Sequence, residues 1–141
     1  MKCMEDCIFC KMIEGKIPCT KVYENESVLA FLDIHPVNKG HTLVIPKKHS
    51  KNIYETRDEI LSEMILVAKK ISTAIKASLK ADGVNVIINN DTSGGQVIFH
   101  IHIHIIPRIE NDGLAPWLRG KDYEGEEEKE SFAKKIASVI E

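Results

Sequence analysis

The sequence predicts a single α+β domain built from five strands, one long helix and a C-terminal helix. Three observations support this fold class. The chain has 141 residues, the usual length of one domain, and its 43% hydrophobic content is enough for a sizeable core. Five short apolar segments are bounded by turn residues, as strands are. One longer segment, between the third and fourth of them, instead repeats its apolar residues at helical intervals.

The predicted strands begin with a pair around the turn Asn25-Glu26-Ser27. The third follows a loop over residues 36–40 and is closed by Pro46. The last is the longest, and Pro107 is expected to end it. The five predicted strands cover residues 22–24, 28–32, 41–45, 84–88 and 97–106.

The long predicted helix begins at Thr56 and Glu59, which have the spacing of a capping box, and ends at Gly83. Its apolar stripe is wide enough to cover one face of a sheet. A short helix over residues 7–15, capped by Asp6, and a C-terminal helix over residues 126–140 are also predicted. The stripe of the long helix consists of Ile60, Leu61, Met64, Ile65, Ala68, Ile71, Ile75 and Leu79, and the C-terminal helix places Phe132, Ile136 and Val139 or Ile140 on one face.

Charge and composition argue against several classes of protein. A formal net charge of −2 is unlike a general nucleic-acid binder, which is usually basic over much of its surface. No apolar run approaches the roughly 18 residues of a membrane span, and the N-terminal residues lack the apolar stretch of a signal peptide. We therefore expect a cytoplasmic protein whose partner is neither a nucleic acid nor a membrane. Because disulfides are rare in the cytoplasm, the four cysteines need another role.

Three histidines alternate in the last predicted strand, at His100, His102 and His104. Residues i, i+2 and i+4 of a strand share a face, so the three histidines would lie on one face. The opposite face, which would pack under the long helix, carries Val97, Phe99, Ile101, Ile103 and Ile105. Neighbouring imidazoles would stand about 6.5–7 Å apart, which suits three different roles. The alternatives are a solvated strand face or a metal site that uses all three. The metal site is geometrically awkward, because ligands must converge within about 2 Å of the metal.

The segment Cys7-Ile-Phe-Cys10 is a CxxC motif, which either binds zinc or forms a redox pair. A redox CxxC usually opens a helix after a strand in a thioredoxin-like unit, and no βαβ pattern supports that here. Zinc is favoured if two further ligands exist. Cys3 is a rival thiolate at a less favourable spacing, and Cys19 fits an ordinary small residue.

Four segments together resemble the histidine triad (HIT) family. The triad itself is His100-Ile-His102-Ile-His104-Ile-Ile, and the resemblance runs over residues 7–113 in the family's order. It implies an antiparallel arrangement of the five strands in a single domain over residues 1–141, of which residues 114–141 form a divergent tail and helix. The four segments are CIFCKMIEGKIP, AFLDIHPVNKGHTLVIPKKH, VIINNDTSGGQ and GGQVIFHIHIHIIPR.

The resemblance implies a nucleotide hydrolase or nucleotidyl transferase that acts at an α-phosphate. His102 would be the nucleophile and form a nucleotidyl-histidine intermediate, His104 would stand by the phosphate as a donor or acid, and His41 matches a fourth family histidine. Neutral imidazole suits nucleophilic attack because its unperturbed pKa is about 6.5. The implied substrate contacts are Asp33 to the ribose, Phe31 and Ile34 near the base, Asn89 beside the phosphate, and backbone N–H groups around Gly94, Gly95 and Gln96 toward its charge.

Outside the family pattern these substrate residues have simpler interpretations. Asp33 would be a turn residue, and Gly94-Gly95 a hairpin loop. Val97 departs from the pattern, since many members carry Ser or Thr there with a hydroxyl toward the phosphate. Because valine has no hydroxyl, this transition-state hydrogen bond is not expected here.

In a subset of HIT proteins a CxxC motif pairs with two histidines that match His49 and His100. The resemblance therefore implies a structural zinc site formed by Cys7, Cys10, His49 and His100, which is closed because all four positions are taken. Such a site would pin the N-terminal segment to the strand that carries His102.

Three functions remain open from the sequence. The first is hydrolysis of a purine nucleoside phosphoramidate that releases AMP or GMP. The second is hydrolysis of a dinucleoside polyphosphate, for which Arg108 is either a contact to a distal phosphate or an exposed strand-end residue. The third is a nucleotide-binding interaction module. The resemblance also implies a homodimer formed through edge strands and the long helix, in which Trp117 either reaches the partner's pocket or packs on its own domain.

Overall fold

The computed structural model describes residues 6–114 and 122–140, so Cys3 and Trp117 lie outside the described residues. In chain order its elements are α1 (Ile8–Ile13), β1 (Lys21–Glu24), β2 (Val28–Leu32), β3 (Thr42–Pro46), α2 (Asp58–Leu79), β4 (Gly83–Ile88), a 3-10 turn (Thr92–Gly94), β5 (Ile103–Arg108) and α3 (Glu126–Ala137). The strands form one sheet in the order β1-β2-β3-β5-β4, and every neighbouring pair is antiparallel. The predicted α+β fold is confirmed.

The central strands are covered on both faces of the sheet. Residues along β2 and β3 alternate between a cluster under α2 and a cluster under α1. Their sequences are therefore continuous apolar runs rather than alternating ones. The α2 cluster contains Val28, Ala30, Val44, Ile103 and Ile105 from the sheet with Met64, Val67, Ala68, Ile71 and Ile75 from the helix. The α1 cluster contains Phe9, Leu29, Phe31, Leu43 and Ile45.

The fifth strand is shorter than predicted, because it begins at Ile103 rather than at Val97. Residues 97–102 are irregular, and Val97 is 84% exposed instead of packing under α2. The prediction that three histidines share one strand face was wrong, since His100 and His102 precede the strand. Only His104 projects from β5, where it pairs opposite Leu43 of β3.

Side-chain hydrogen bonds hold the loop before β5 in this irregular conformation. Gln96 is only 3% exposed. Its Nε2 donates to the carbonyl oxygens of Lys51, at 2.6 Å, and Ile98, at 3.1 Å. Its Oε1 accepts from the N–H of Asp91 at 2.8 Å. The loop is thereby tied to the chain after β3, which replaces the sheet pairing that the sequence pattern predicted.

Pro107 lies inside β5, opposite Val84, and does not end the strand as predicted. Its carbonyl accepts a hydrogen bond from Nδ2 of Asn38 at 2.9 Å. The nitrogen and carbonyl of a strand residue point to the same side, so the proline nitrogen also faces the loop before β3. Pairing with β3 reaches only as far as Ile105, and the missing N–H therefore removes no bond between strands.

The two ends of α2 differ from their predicted signals. Arg57 is its N-cap and makes no side-chain capping bond. Thr56 instead donates its hydroxyl to the carbonyl of Asn52 at 2.7 Å, so the predicted capping box is not formed. At the other end the helix turns through Lys80 in a left-handed conformation, at φ 53°, because Gly83 already belongs to β4.

The apolar stripe of α2 is shifted by part of a turn from its prediction. Val67 is buried, whereas Ile65 and Leu79 are exposed.

The predicted C-terminal helix is present as α3, and none of its residues is buried, so Phe132 and Ile136 are exposed. Among the described helices, none is long and apolar enough to cross a membrane.

A carboxylate in place of the Gln96 amide should destabilise the fold. Gln96→Glu keeps the size of the side chain but sets an acceptor against the carbonyls of Lys51 and Ile98. We expect the free energy of unfolding, measured by urea denaturation, to fall by about 2–4 kcal/mol.

Asn90→Asp is the matched control. Oδ1 of Asn90 accepts from the N–H of Ile53 at 2.7 Å, whereas its Nδ2 lies 3.5 Å from the carbonyl of Ile88. Aspartate keeps the shorter contact, so we expect a loss below about 1 kcal/mol. Equal losses in the two variants would contradict the role given to the Gln96 amide.

Candidate functional site

Two cysteines and two histidines converge beside α1. Cys7, rather than the predicted Asp6, is the N-cap of this helix, and its Sγ accepts from the N–H of Cys10 at 3.4 Å. His49 follows β3, and His100 lies in the loop before β5. The four ligand atoms all lie within 4.8 Å of one another. The structure thus brings together all four residues of the predicted zinc site.

The distances within this cluster fit a tetrahedral zinc ion. Zinc bonds of about 2.3 Å to sulfur and 2.0–2.1 Å to nitrogen place two nitrogens about 3.3 Å apart and a sulfur about 3.5 Å from a nitrogen. Nδ1 of His100 lies 3.3 Å from Sγ of Cys7, 3.6 Å from Sγ of Cys10 and 3.2 Å from Nδ1 of His49. Sγ of Cys10 lies 3.5 Å from Nδ1 of His49.

The protonation of His100 also suits a metal ligand. Its Nε2 lies 2.8 Å from the carbonyl of Pro46, which can only accept a hydrogen bond. The proton of the neutral ring is therefore on Nε2, and Nδ1 has a free lone pair toward the cysteines. Burial lowers the pKa of His100 to about 4, which favours this neutral form. These four residues could hold a zinc ion.

His102 has the protonation that a nucleophile needs. Its Nδ1 lies 2.7 Å from the carbonyl of His100 and must donate, so Nε2 has a free lone pair. Burial lowers the pKa of His102 and keeps the ring neutral. Phe9 of α1 packs edge-on against the imidazole, with ring centroids 5.2 Å apart. The ring is thus fixed by a backbone carbonyl and by an aromatic neighbour.

A second chain of hydrogen bonds fixes His41 and His104. The N–H of Val37 donates to Nδ1 of His41 at 3.1 Å, so the proton of His41 is on Nε2. That proton is donated to Nδ1 of His104 at 3.0 Å. His104 therefore carries its own proton on Nε2, as a neutral hydrogen-bond donor. Burial lowers the pKa of His104 to about 4 and that of His41 in the same direction.

Asp33, His41 and His104 also form a compact group, but this group is poorly suited to a metal. Oδ2 of Asp33 lies 3.6 Å from Nε2 of His41. To bind a metal through Nε2, neutral His41 would have to move its proton to Nδ1. The N–H of Val37 already points at that nitrogen. The backbone therefore favours a hydrogen-bonded chain here and a metal only at the cysteine cluster.

A cavity of about 420 Å³ opens beside the imidazoles of His102 and His104. Five predicted substrate residues line it, whereas Gly94 does not, and Gln96 and His41 bond to the lining residues Ile98 and His104. The contribution of α1 to this wall was not predicted, although the apolar residues of the helix were a signal for it. The predicted wall residues are Phe31, Asp33, Ile34, Asn89 and Gly95, and the additional ones include Ile8, Phe9, Met12, Leu43 and Ile98.

The backbone N–H groups expected to meet a phosphate are engaged elsewhere. The N–H groups of Gly94 and Gln96 donate to the carbonyl of Asp91, and that of Gly95 donates to Thr92, all within a tight turn. Among the described residues, none accepts a hydrogen bond from the N–H groups of the following residues, 97–99. Val97 and Ile98 also line the cavity, so donors for an anion are available one step further along the chain.

Arg108 is the last residue of β5, as one interpretation of the sequence had it, but it is only partly exposed. Its guanidinium makes a bidentate pair with Asp112, at 2.8 and 2.9 Å, and also donates to Oδ1 of Asn85 at 2.9 Å. This pair holds the pKa of Asp112 well below its usual range. Asn38 donates to the same carboxylate at 3.1 Å. Arg108 therefore anchors the chain after β5 and does not line the cavity beside the triad.

The fold and the site together define a small histidine triad domain, with imidazoles in fixed tautomers beside a cavity on one face of the sheet. The family model described as HIT domain matches residues 14–111. The chain therefore belongs to the HIT family.

Individual relatives agree with this assignment. The chain is 49% identical to Protein hit of Bacillus subtilis, over 98% of this chain and 99% of that protein. It is 46% identical to an adenylylsulfatase of Arabidopsis thaliana, over 77% of this chain and 55% of that protein. A solved Zn-bound histidine triad family protein from Mycobacterium smegmatis is 34% identical, with a TM-score of 0.76 and coverage of 96% of this chain and 98% of that one.

Metal analysis of the purified protein tests the cysteine cluster. We expect one zinc ion per chain in the wild type and almost none in Cys10→Ser, because the buried hydroxyl is a far weaker zinc ligand than a thiolate. Cys19→Ser is the control and should keep its zinc, since Cys19 packs under α1 away from the four ligands. Retention of stoichiometric zinc by Cys10→Ser would rule out the proposed ligand set.

Proposed function

We propose that this protein hydrolyses purine nucleoside phosphoramidates and releases AMP or GMP. The observation that carries the proposal is the tautomer of His102, whose Nδ1–H is donated to the carbonyl of His100 and whose Nε2 is left as a nucleophile at a cavity of nucleotide size. The Arabidopsis relative is named an adenylylsulfatase, which supports a hydrolase of an adenylyl compound.

In the proposed reaction Nε2 of His102 attacks the α-phosphorus in line with the leaving nitrogen. The nitrogen–phosphorus bond forms as the bond to the leaving group breaks, which gives a nucleotidyl-histidine intermediate. A water molecule gives a proton to the leaving nitrogen, and the resulting hydroxide attacks the phosphorus and releases the nucleoside monophosphate. His104 donates from Nε2 to a phosphate oxygen throughout, because the N–H of His41 already occupies its Nδ1.

The walls of the cavity suit the rest of a nucleotide. Oδ1 of Asp33 accepts from the N–H of His35 at 2.9 Å, and its carboxylate has further lone pairs for ribose hydroxyls. The exposed Ile34 offers apolar surface to a base, and Phe31, which packs against Phe9 of α1, also lines the cavity. The amide of Asn89 and the N–H groups of residues 97–98 are donors for the phosphate.

The charge of the cavity favours a phosphoramidate over a dinucleoside polyphosphate. Among the described residues, no lysine or arginine lines it, and Asp33 adds a negative charge. A phosphoramidate ester carries one negative charge at the reacting phosphorus, whereas a polyphosphate chain carries several and needs cations to offset them. Arg108, the cation considered for a distal phosphate, is bound to Asp112 instead.

Zinc at Cys7, Cys10, His49 and His100 is proposed as a structural ion that joins α1 to the loop before β5. The ion neutralises the two thiolates and has no open position for water. The four residues then hold the carbonyl of His100, which sets the tautomer of His102. A site that depends on thiolates also fits a reducing compartment, which supports the cytoplasmic location expected from the sequence.

We also propose a homodimer formed through α2 and β4. Val86 and Ile87 are exposed on β4, which is an edge strand of the sheet. Ile65 and Leu66 are exposed on α2. Pairing of two such edges would cover this apolar surface and satisfy the free backbone groups of the strand.

Hydrolysis of an adenosine phosphoramidate, followed by chromatography of released AMP, tests the function. We expect His102→Ala to lower kcat/KM by at least about 10⁴-fold, because it removes the nucleophile. His35→Ala is the control: this side chain lines the cavity without bonding to His41, His102 or His104, and its loss should change kcat/KM by less than about tenfold.

A diadenosine polyphosphate assayed in parallel decides between the substrate classes. Faster release of AMP from it than from the phosphoramidate would contradict the charge argument. No release from either substrate by folded, zinc-containing protein would refute the hydrolase and leave the nucleotide-binding module.

The pH profile tests the protonation of the triad. Nucleophilic attack needs neutral His102, and burial lowers its pKa below the ordinary 6.5. Activity is therefore kept as the pH falls through 6.5 and is lost only as the pH falls through the lowered pKa. We expect the acid limb of kcat/KM to have its midpoint below pH 6.5, with zinc content measured at each pH. A midpoint at or above pH 6.5 would count against a buried neutral nucleophile.

A further inference from the structure

We propose that Cys7 and Cys10 are also an oxidation site, at which a hydroperoxide joins the two thiolates in a disulfide and releases the metal. The inference rests on the zinc site proposed above and adds a chemical modification to it. It follows from the placement of the two thiols, from the access of solvent to one of them, and from what α1 contributes to the nucleotide cavity.

The two thiols are placed closely enough to form a disulfide. Cys7 caps α1 and Cys10 lies in its first turn, with the two Sγ atoms within 4.8 Å of each other. A disulfide needs the two sulfurs at about 2.05 Å, so the Sγ atoms of Cys7 and Cys10 must move toward each other. Side-chain rotation can therefore join them once the metal no longer holds them apart.

Access to the two thiols is unequal. Cys7 and His49 form part of the wall of a second, open cavity of about 610 Å³, which also contains Lys51 and Phe99. Cys10 is only 1% exposed and does not line it. A small polar oxidant can therefore reach Cys7 from solvent, whereas Cys10 is positioned to react only with the oxidised Cys7. This asymmetry assigns the attacking role to Cys7 and the resolving role to Cys10.

The chemistry balances with a hydroperoxide as the only oxidant. The thiolate of Cys7 attacks one peroxide oxygen, so that an S–O bond forms, the O–O bond breaks, and the departing hydroxide takes a proton to become water. The thiolate of Cys10 then attacks the sulfur of this sulfenic acid, so that the S–S bond forms and the S–O bond breaks. The second hydroxide also leaves as water. Two thiolates are oxidised, one hydrogen peroxide is reduced, two protons are consumed, and zinc loses two of its four ligands.

Loss of the metal should disturb the nucleotide cavity through α1. Phe9 of this helix is buried against Phe31, with centroids 5.5 Å apart, and against His102, at 5.2 Å. Ile8 and Met12 line the cavity itself. A helix of six residues is unstable by itself, so its position depends on its anchors. Since displacements of about 1 Å near a reacting group can cost about 100-fold in rate, oxidation should lower kcat/KM by about that factor.

The test uses the zinc-loaded chain with Cys3→Ser and Cys19→Ser, so that Cys7 and Cys10 are the only thiols left. Hydrogen peroxide is added, released zinc is measured with a metal-binding dye, and the thiols are mapped by alkylation and mass spectrometry. We expect one zinc ion released per intramolecular disulfide, and recovery of zinc binding and of activity after dithiothreitol and zinc are added. The same chain with Cys7→Ser is the control and should form no intramolecular disulfide.

Two results would overturn the proposal. One is retention of zinc and both free thiols at peroxide concentrations that oxidise the metal-free chain. The other is release of zinc with Cys7 oxidised beyond the sulfenic acid and Cys10 still free. Zinc release and thiol mapping do not depend on catalysis. A chain that forms the disulfide but hydrolyses neither substrate class refutes the hydrolase alone. A hydrolase whose thiols resist peroxide refutes the oxidation site alone.

Discussion

Backbone groups select the tautomers of His100, His102 and His41, and the proposed chemistry depends on that selection. The carbonyl of Pro46 binds Nε2 of His100 and leaves Nδ1 for the cysteine cluster. The carbonyl of His100 binds Nδ1 of His102 and leaves Nε2 for the cavity. The N–H of Val37 binds Nδ1 of His41 and makes its Nε2 a donor. Chemically equivalent side chains are thus prepared for three different proposed roles, as metal ligand, nucleophile and donor, because the chain presents a different backbone atom to each.

The double coverage of the sheet explains why the site needs its N-terminal segment. One face is covered by α2, and the apolar residues between this helix and the central strands form the larger hydrophobic core. Within residues 6–114 and 122–140, the other face is covered by α1 and the loop before β5. A helix this short gains little from its own hydrogen bonds, and its burial of Phe9 is its main packing contribution. A metal ion bound at the cysteine cluster would join α1 to the loop and so compensate for the small apolar area on this face.

The sequence predicted the regular parts of the fold and about half of the residues around the cavity, but not the conformation of the chain that carries the triad. Period-two alternation assigns a side chain to a face only while the backbone remains in a strand. The strand begins at Ile103, because Gln96 and the cysteine cluster hold the preceding loop more favourably than sheet pairing would. Thr56 likewise had the spacing of a helix cap, yet its hydroxyl bonds to Asn52. Local spacing does not contain such competing tertiary partners, and for the same reason it missed the contact of Phe9 with His102.

The polar groups that line the cavity are neutral donors and one carboxylate, and this charge distribution favours release of the product in the proposed reaction. Burial keeps His102 and His104 uncharged, so a bound phosphate is met by N–H dipoles rather than by cations. Dipoles fixed in place can stabilise the single charge of a substituted phosphate, since they need no reorganisation as the transition state forms. The nucleoside monophosphate that leaves carries close to two negative charges at neutral pH. The same dipoles offset this second charge poorly, and Asp33 opposes it, so the charge gained on hydrolysis favours release of the product over its retention.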